Sequence, residues 1–523
     1  MKRYLLKRIL FSIFSLSVVM LIVMFLTYQL MDRSLIFTND AMISRLSYNE
    51  LEMYMHNKYV EYGYEEYVLF GNYLTDVYKE KCGEEEYTKD PDYKAANSSL
   101  FDPEAYAENK DVKAFKELYE SKGFTVEYMA PVKVLRKIVS QPRLIAVRQF
   151  GLFERFGVWA SQLIKIETIN DVKDPNLTDR YIRWEWDKRS NMPALVGSGT
   201  MHKYLIYFDD EFPFVHQNLV HLQFGKSNNQ DKGVDVFDSL NTPTGASDVR
   251  AQEYPVDLGT GITHETAYDF HTVTYTAEPF EGNFKIFGEN EHYANASYRT
   301  TGLTRIGNSF VIGIFALIVS YLFGLPLGIW MAQRKDKLLD KLGNAYIVFI
   351  AAVPSLAYIF IFQAIGVSAF GLPSKWGDSR GFWLTIILPV VSLALPSLGG
   401  LMKWMRRFMI DQANADYVKF ARATGMTEGE IFSKHIARNA FIFLVHGLPA
   451  DLLFALTGAL ITERVYAVPG VGGLVTNGIT KYDNGVIIGG TLFYAVLTIL
   501  ALILGDLLLA KYDPRVSLTN ERG

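Results

Sequence analysis

Three groups of residues have types and spacings that could do chemistry: Gly225-Lys226-Ser227, the carboxylates Asp451, Glu463 and Asp506 in or beside apolar runs, and Thr427 with Glu430 in a basic loop. A phosphate-binding loop ending in Gly-Lys-Ser needs its first glycine at position 220, which is Val220 here, so the string predicts an ordinary loop. No HExxH, GxSxG or GxGxxG occurs, which leaves no catalytic residue to name. Cys82 is the only cysteine, so no internal disulfide forms, and with no CxxC or Cys/His cluster the pattern assigns no metal ligand. Asp451 falls inside an apolar segment, where it either pairs with a partner subunit or lines a polar pathway. Asp506 lies about one turn from Lys511 and reads as a structural carboxylate at the membrane boundary. Glu463, just past another apolar segment, is open to a pathway or a structural role.

The elements that must position these residues are mostly membrane helices. An apolar run from Ile9 to Leu30 follows Lys2, Arg3, Lys7 and Arg8, lacks a small-residue cleavage site, and reads as a retained span. Five further spans are predicted at about 307–331, 342–366, 382–402, 440–461 and 485–510. Pro326, Pro354, Pro389, Pro396 and Pro449 fall inside them, as a bundle tolerates where neighbours re-satisfy freed carbonyls. Counting bases near the span ends gives 18 on the side of the N-terminus against 4 on the other, which puts both termini in the cytoplasm.

That topology divides the chain into residues 1–31, an extracellular domain over 32–305, a membrane block over 306–513 and a cytoplasmic tail over 514–523. Between Met31 and Arg305 there are 43 acids and 30 bases, whereas the rest of the chain has 13 acids and 22 bases. This asymmetry speaks of compartments, and offers no basis for nucleic-acid binding. The 32–305 segment, rich in Tyr and Phe, reads as a folded mixed α/β domain. A helix is expected over Asp111–Gly123, mixed helical signals over Val132–Ile166, and strands over Lys203–Phe208 and Phe270–Ala277.

The loop over 403–439 carries the most information. Asp416–Thr424 predicts a short amphipathic helix broken by Gly425, and Thr427 with Glu430 forms a capping-box signature for a second helix through about Arg438. Such a knob either docks on a cytoplasmic partner or lies on anionic lipid, and the residues alone leave both open.

The string DYVKFARATGMTEGEIFSKHIARNA resembles the EAA loop of the B-type membrane subunits of oligopeptide and dipeptide ABC importers. Lys419, Phe420 and Ala421 fill the EAA positions and Gly425 the glycine, with Lys in place of the family's Glu. The MKRYLLKRIL start, His221–Ser227, Leu325–Gly328, Thr462–Val465 with Pro469–Gly472, and Asp513–Val516 also match, in the family's order. The long segment with ALVGSGTMHKYLIYF and EFPFVHQNLVHL is similar to the Ami-type branch of Gram-positive bacteria.

The resemblance implies a type I importer permease of six helices in a bacterial plasma membrane, Gram-positive in source. Its implied partners are a second, C-type permease, two cytoplasmic ATPases that hold ATP and magnesium, and a lipid-anchored peptide-binding protein; no cofactor sits on this chain. Asp416, Lys419, Phe420, Ala421, Arg422, Ala423, Gly425 and Met426 are then the ATPase-coupling residues. The competing readings are a proton-coupled secondary transporter, which calls for more buried carboxylates, and a permease of the same kind for another cargo such as nickel. A transmembrane sensor would need a cytoplasmic signalling region that these short loops do not supply.

Overall fold

The computed structural model describes residues 2–512, apart from short gaps and the stretches 243–253, 258–262, 267–270, 276–292 and 296–302. The expected strand over Phe270–Ala277 is therefore described only in part, at Thr274–Tyr275, and the 514–523 tail lies outside the described residues.

Four helices among the described residues are long and apolar enough to cross a membrane: Tyr4–Leu30, Arg305–Gln333, Phe382–Ala413 and Asn484–Lys511. A further helix runs over Arg438–Tyr466. Pro326, Pro396 and Pro449 sit inside their helices, as a bundle permits. Pro354 does not. Instead of one span over 342–366, the structure has Leu338–Ala352 and Ser355–Phe370, bent by 115°. The reason is local. Val353 precedes the proline and is pushed to ψ 129°, and Pro354 has no N–H to continue the ladder.

Lipid is as apolar as leucine, so these helices gain little from burial and are held by close fit. The tightest pair is Arg305–Gln333 against Ile387–Ala413. A Cβ on Gly328 would lie 2.9 Å from the Met402 carbonyl oxygen, and one on Gly324 3.2 Å from that of Leu398. The two backbones touch because those side chains are hydrogen atoms. Ser320 donates across the same seam to the Ala394 carbonyl at 3.1 Å.

Between the first helix and Arg305 the chain folds as a mixed α/β domain. Lys110–Ser121 is helical, capped by Asn109 and ended before Gly123 at φ 82°, and Tyr204–Phe208 is a strand. Val132–Ile166 differs from its expectation. It is chiefly strands, Val132–Val134, Lys137–Ser140, Arg143–Gln149 and Ile164–Ile166, with one helix at Leu152–Gln162. The apolar run Leu144–Val147 is buried on both faces, and such a run has no alternation to mark it as a strand. Arg143–Gln149 is the centre of a three-stranded antiparallel sheet between Glu65–Leu69 and Thr125–Met129. A four-stranded antiparallel sheet comprises Tyr181–Asp187, Met192–Ser198, Tyr204–Phe208 and Val215–Gln217.

The first sheet covers a core around Phe70, Leu74, Phe115 and Leu144. Here water is the alternative solvent, so each large apolar side chain contributes roughly 1.5–3 kcal/mol. A second cluster joins the domain to the helices: Met20 and Met24 meet Phe224, Val236 and Leu240, and these meet Leu474, Ile488 and Leu492.

Candidate functional site

The basic loop after the Ile387–Ala413 helix is compact. That helix passes well beyond residue 402, and the chain then turns into the short helix Asp416–Ala423. Val418 and Ala421 face inward with Met405, Met409, Ile431 and Ile436. Lys419, Phe420, Arg422 and Ala423 take the other side, and Phe420 is 72% exposed. Its large aromatic ring is held out from a packed base. Asp416 and Met426 flank it, the first exposed and the second half-buried. Ala421, expected among the docking residues, is instead part of the loop's own core, because it lies on the same helical face as Val418.

The turn is set by torsion and by charge. Gly425 has φ 83°, its N–H donates to the Arg422 carbonyl at 3.0 Å, and the Met426 N–H donates to Ala421 at 3.3 Å. Arg422 straddles the turn and donates twice to Glu428, at 2.7 and 3.1 Å. The Thr427 hydroxyl accepts from the Glu430 N–H at 3.3 Å while the Thr427 N–H and hydroxyl donate back to the Glu430 carboxylate at 3.2 and 2.9 Å, completing the capping box. Those bonds hold the Glu430 carboxyl below its ordinary range. The second helix does not stop near Arg438. It continues through a π-helical turn, Ile431–Ala437, straight into Arg438–Tyr466, so the second helix of the knob and that long helix are one continuous rod.

The carboxylates are held within the chain. Asp451 accepts from the Tyr321 hydroxyl at 2.6 Å, which ties Arg438–Tyr466 to Arg305–Gln333 without a partner subunit. Asp506 accepts from Tyr4 at 2.9 Å and pairs with Arg8 at 3.4 Å, joining the last helix to the first. Glu463 is fully buried, and accepts from Ser309 at 2.6 Å and from the Gly473 N–H at 2.9 Å. Gly473 lies in the first turn of Val471–Thr480, a helix the sequence did not announce, whose cap residue Gly470 has no side chain. Glu463 supplies from a distance the acceptor that Gly470 lacks as a cap. Ser309 in turn accepts from the Val471 N–H at 2.9 Å. The glycines of Pro469–Gly472 make room for this: a Cβ on Gly470 would sit 2.4 Å from the Glu463 carboxyl carbon.

Gly225-Lys226-Ser227 is likewise structural. The N–H groups of Phe224 and Gly225 donate to Asp235, both at 3.0 Å. Ser227 donates to buried Asp483 at 2.6 Å, and the N–H groups of Asn228, Asn229 and Gln230 donate to the same carboxylate. Two carboxylates therefore take the donors that a phosphate cradle would need. Asp483 precedes the last helix, and a Cβ on Gly485 would come 2.0 Å from the Lys226 carbonyl oxygen. This loop is the clasp between the domain and the helices. Sequence reasoning missed it because Ser227 and Asp483 are 256 residues apart.

Residues 324–518 match the family model described as "Binding-protein-dependent transport system inner membrane component". The oligopeptide transport system permease protein AmiC of Streptococcus pneumoniae is 30% identical over the whole of both chains, so its match includes the domain over 32–305. The dipeptide transport system permease proteins DppB of Lactococcus lactis and of Bacillus subtilis are each 30% identical, over 47% and 40% of this chain and 79% and 68% of their own. Among solved structures, an amino acid ABC transporter chain aligns over 40% of this chain and 92% of its own, at 18% identity and a TM-score of 0.33.

Proposed function

This chain belongs to the family of membrane-spanning permease subunits of ATP-driven peptide importers, and we propose that the Phe420 knob is where a partner ATPase takes hold of it. It has the helical type I importer permease fold, and its family is that of the transporter's permease, not its ATPase. The observation that carries the coupling role is the continuous rod. A displacement applied at Asp416–Met426 crosses the Gly425 turn, which Arg422 braces against Glu428, and enters the helix that continues as Arg438–Tyr466.

In this reading the chain has six spans, with Leu338–Phe370 counted as one broken span, and both termini lie in the cytoplasm. The domain over 32–305 faces outward, where it shields the entry or receives a lipid-anchored peptide-binding protein. A C-type permease completes the pathway, and two ATPases carry ATP and magnesium. The base distribution and the match to a streptococcal permease support a Gram-positive plasma membrane as the setting.

Phe420→Asp tests the docking. An exposed aromatic anchor filling a pocket is worth on the order of 2 kcal/mol or more, roughly 30-fold in affinity. The variant is expected to co-purify poorly with its ATPases while its thermal midpoint stays unchanged. Undiminished co-purification and peptide-stimulated ATP hydrolysis would refute the assignment.

Cys82, the sole thiol, tests the topology. It donates to Asp90 at 3.3 Å, and that bond raises its pKa, so labelling is best done above neutral pH. A membrane-impermeant maleimide should label it in intact cells. Labelling only after lysis would invert the proposed orientation.

A further inference from the structure

We propose that Glu167, His202 and His221 form a site for a divalent transition-metal ion of the zinc type in the domain over 32–305. Nothing in the sequence pattern pairs these residues, because 35 and 54 positions separate the histidines from the glutamate. The fold brings them together. Glu167 follows the strand Ile164–Ile166, and His221 is the middle residue of its partner Val220–Leu222. His202 comes from the turn before Tyr204–Phe208, itself paired with Thr274.

The donor atoms converge on one point. Glu167 Oε1 lies 2.6 Å from His202 Nδ1 and 2.8 Å from His221 Nε2, and all three ligand atoms are within 4.8 Å of one another. Tetrahedral zinc with bonds of about 2.0 Å sets its ligand atoms roughly 3.3 Å apart, so each contact needs to open by about half an ångström. The imidazole rings are stacked, with centroids 5.4 Å apart and planes at 24°.

Supporting contacts hold the ligands in place. The Glu167 N–H donates to the Leu219 carbonyl at 2.8 Å, and Glu167 Oε2 accepts from the His202 N–H at 3.0 Å. The Glu167 side chain is only 2% exposed, against 24% and 32% for the histidines. An ion held here would have its back to the protein and a fourth position toward solvent, for water or an outside donor.

The ligand set decides the metal class. Two imidazoles and one carboxylate suit zinc and its first-row neighbours, whereas calcium and magnesium demand oxygen. Lys165, across the strand pair from His221, is the opposing charge, and it lies 3.8 Å from Asp171. Zinc entry forms two Zn–N bonds and one Zn–O bond, and any ring proton on the ligating nitrogens leaves them, to solvent from an imidazolium or to the other ring nitrogen of a neutral imidazole. The ion would then pin three segments that hydrogen bonds alone join.

The test uses the full chain, purified without a histidine tag, stripped by chelator and dialysed against zinc sulfate. The wild type should retain one equivalent, and its X-ray absorption should show two imidazole nitrogens and one carboxylate oxygen at about 2.0–2.1 Å. Zinc should also raise the thermal midpoint. His202→Asn, His221→Asn and Glu167→Gln should each weaken binding at least tenfold and abolish the midpoint shift, while His216→Asn, outside the cluster, should bind as wild type. The proposal fails if the folded wild type retains no stoichiometric zinc, if the absorption spectrum shows another ligand set, or if the three variants bind zinc undiminished. A midpoint that responds to pH and not to zinc would also overturn it, and would make the cluster a proton-sharing pair of ion bridges.

Discussion

Replacing Gly425 with valine is expected to reduce peptide uptake and peptide-stimulated ATP hydrolysis about tenfold in the assembled transporter, while Gly425→Asn stays within about twofold of wild type. Gly425 sits at φ 83°, and a Cβ there would meet nothing within 4 Å, so the cost of a side chain is torsional and not steric. For a β-branched residue that cost is about 1–2 kcal/mol, which converts to roughly tenfold in the population of the native turn. Asparagine tolerates the left-handed region and should keep the turn. The effect lands on coupling because Gly425 orders the bonds from Gly425 to Arg422 and from Met426 to Ala421, and these aim Phe420. The buried base of the knob, Val418 with Met405 and Ile431, is untouched. Proteoliposomes holding the complete complex provide the measurement. A valine variant that transports and hydrolyses at wild-type rates would show that the shape of this turn does not carry coupling.

Glu463→Ala is expected to cost on the order of 2–4 kcal/mol of stability, read as a lowered thermal midpoint and lower yield of folded chain. The substitution removes the acceptor for Ser309 and for the Gly473 N–H, and both donors are left inside the protein. It also uncaps Val471–Thr480, whose own cap position is Gly470. Glu463→Gln retains an acceptor and the side-chain volume, so less than half of the loss is expected. If alanine and glutamine variants both melt like wild type, Glu463 is not the strut described here. If both fold normally and transport fails, Glu463 belongs to the pathway instead. The neighbouring glycines offer an independent check. A Cβ on Gly472 would lie 2.7 Å from the Leu460 Cα, so alanine there should damage the same junction from the other side.

Much of this protein was legible as a string, for reasons of range. The Asp416–Ala423 helix, the break at Gly425 and the Thr427–Glu430 box depend on residues within a few positions of one another, and the structure has each of them. The apolar runs were equally plain, because length and hydropathy suffice to mark helices such as Arg305–Gln333 and Asn484–Lys511. Pro354 was the exception. Sequence cannot say which of several prolines a bundle will absorb, since that turns on whether neighbours re-satisfy the freed backbone.

Everything else was decided in three dimensions. Ala421 reads as one more docking residue until the helix it lies on is packed against Met405 and Met409. Asp451 reads as a charge for a partner subunit or a pathway and Asp506 as a boundary carboxylate near Lys511, and only packing brings Tyr321 to the one and Tyr4 with Arg8 to the other. Gly225-Lys226-Ser227 resembles a phosphate loop until Asp235 and Asp483 take its donors. The sequence by itself determined a peptide permease with a capped, glycine-hinged knob, because caps, turns and spans are written in neighbouring residues. Only the tertiary structure decided which partners hold these carboxylates in place and which donors are already taken, because a hydrogen bond is set by distance in space, and its two ends here lie up to 502 residues apart in the chain.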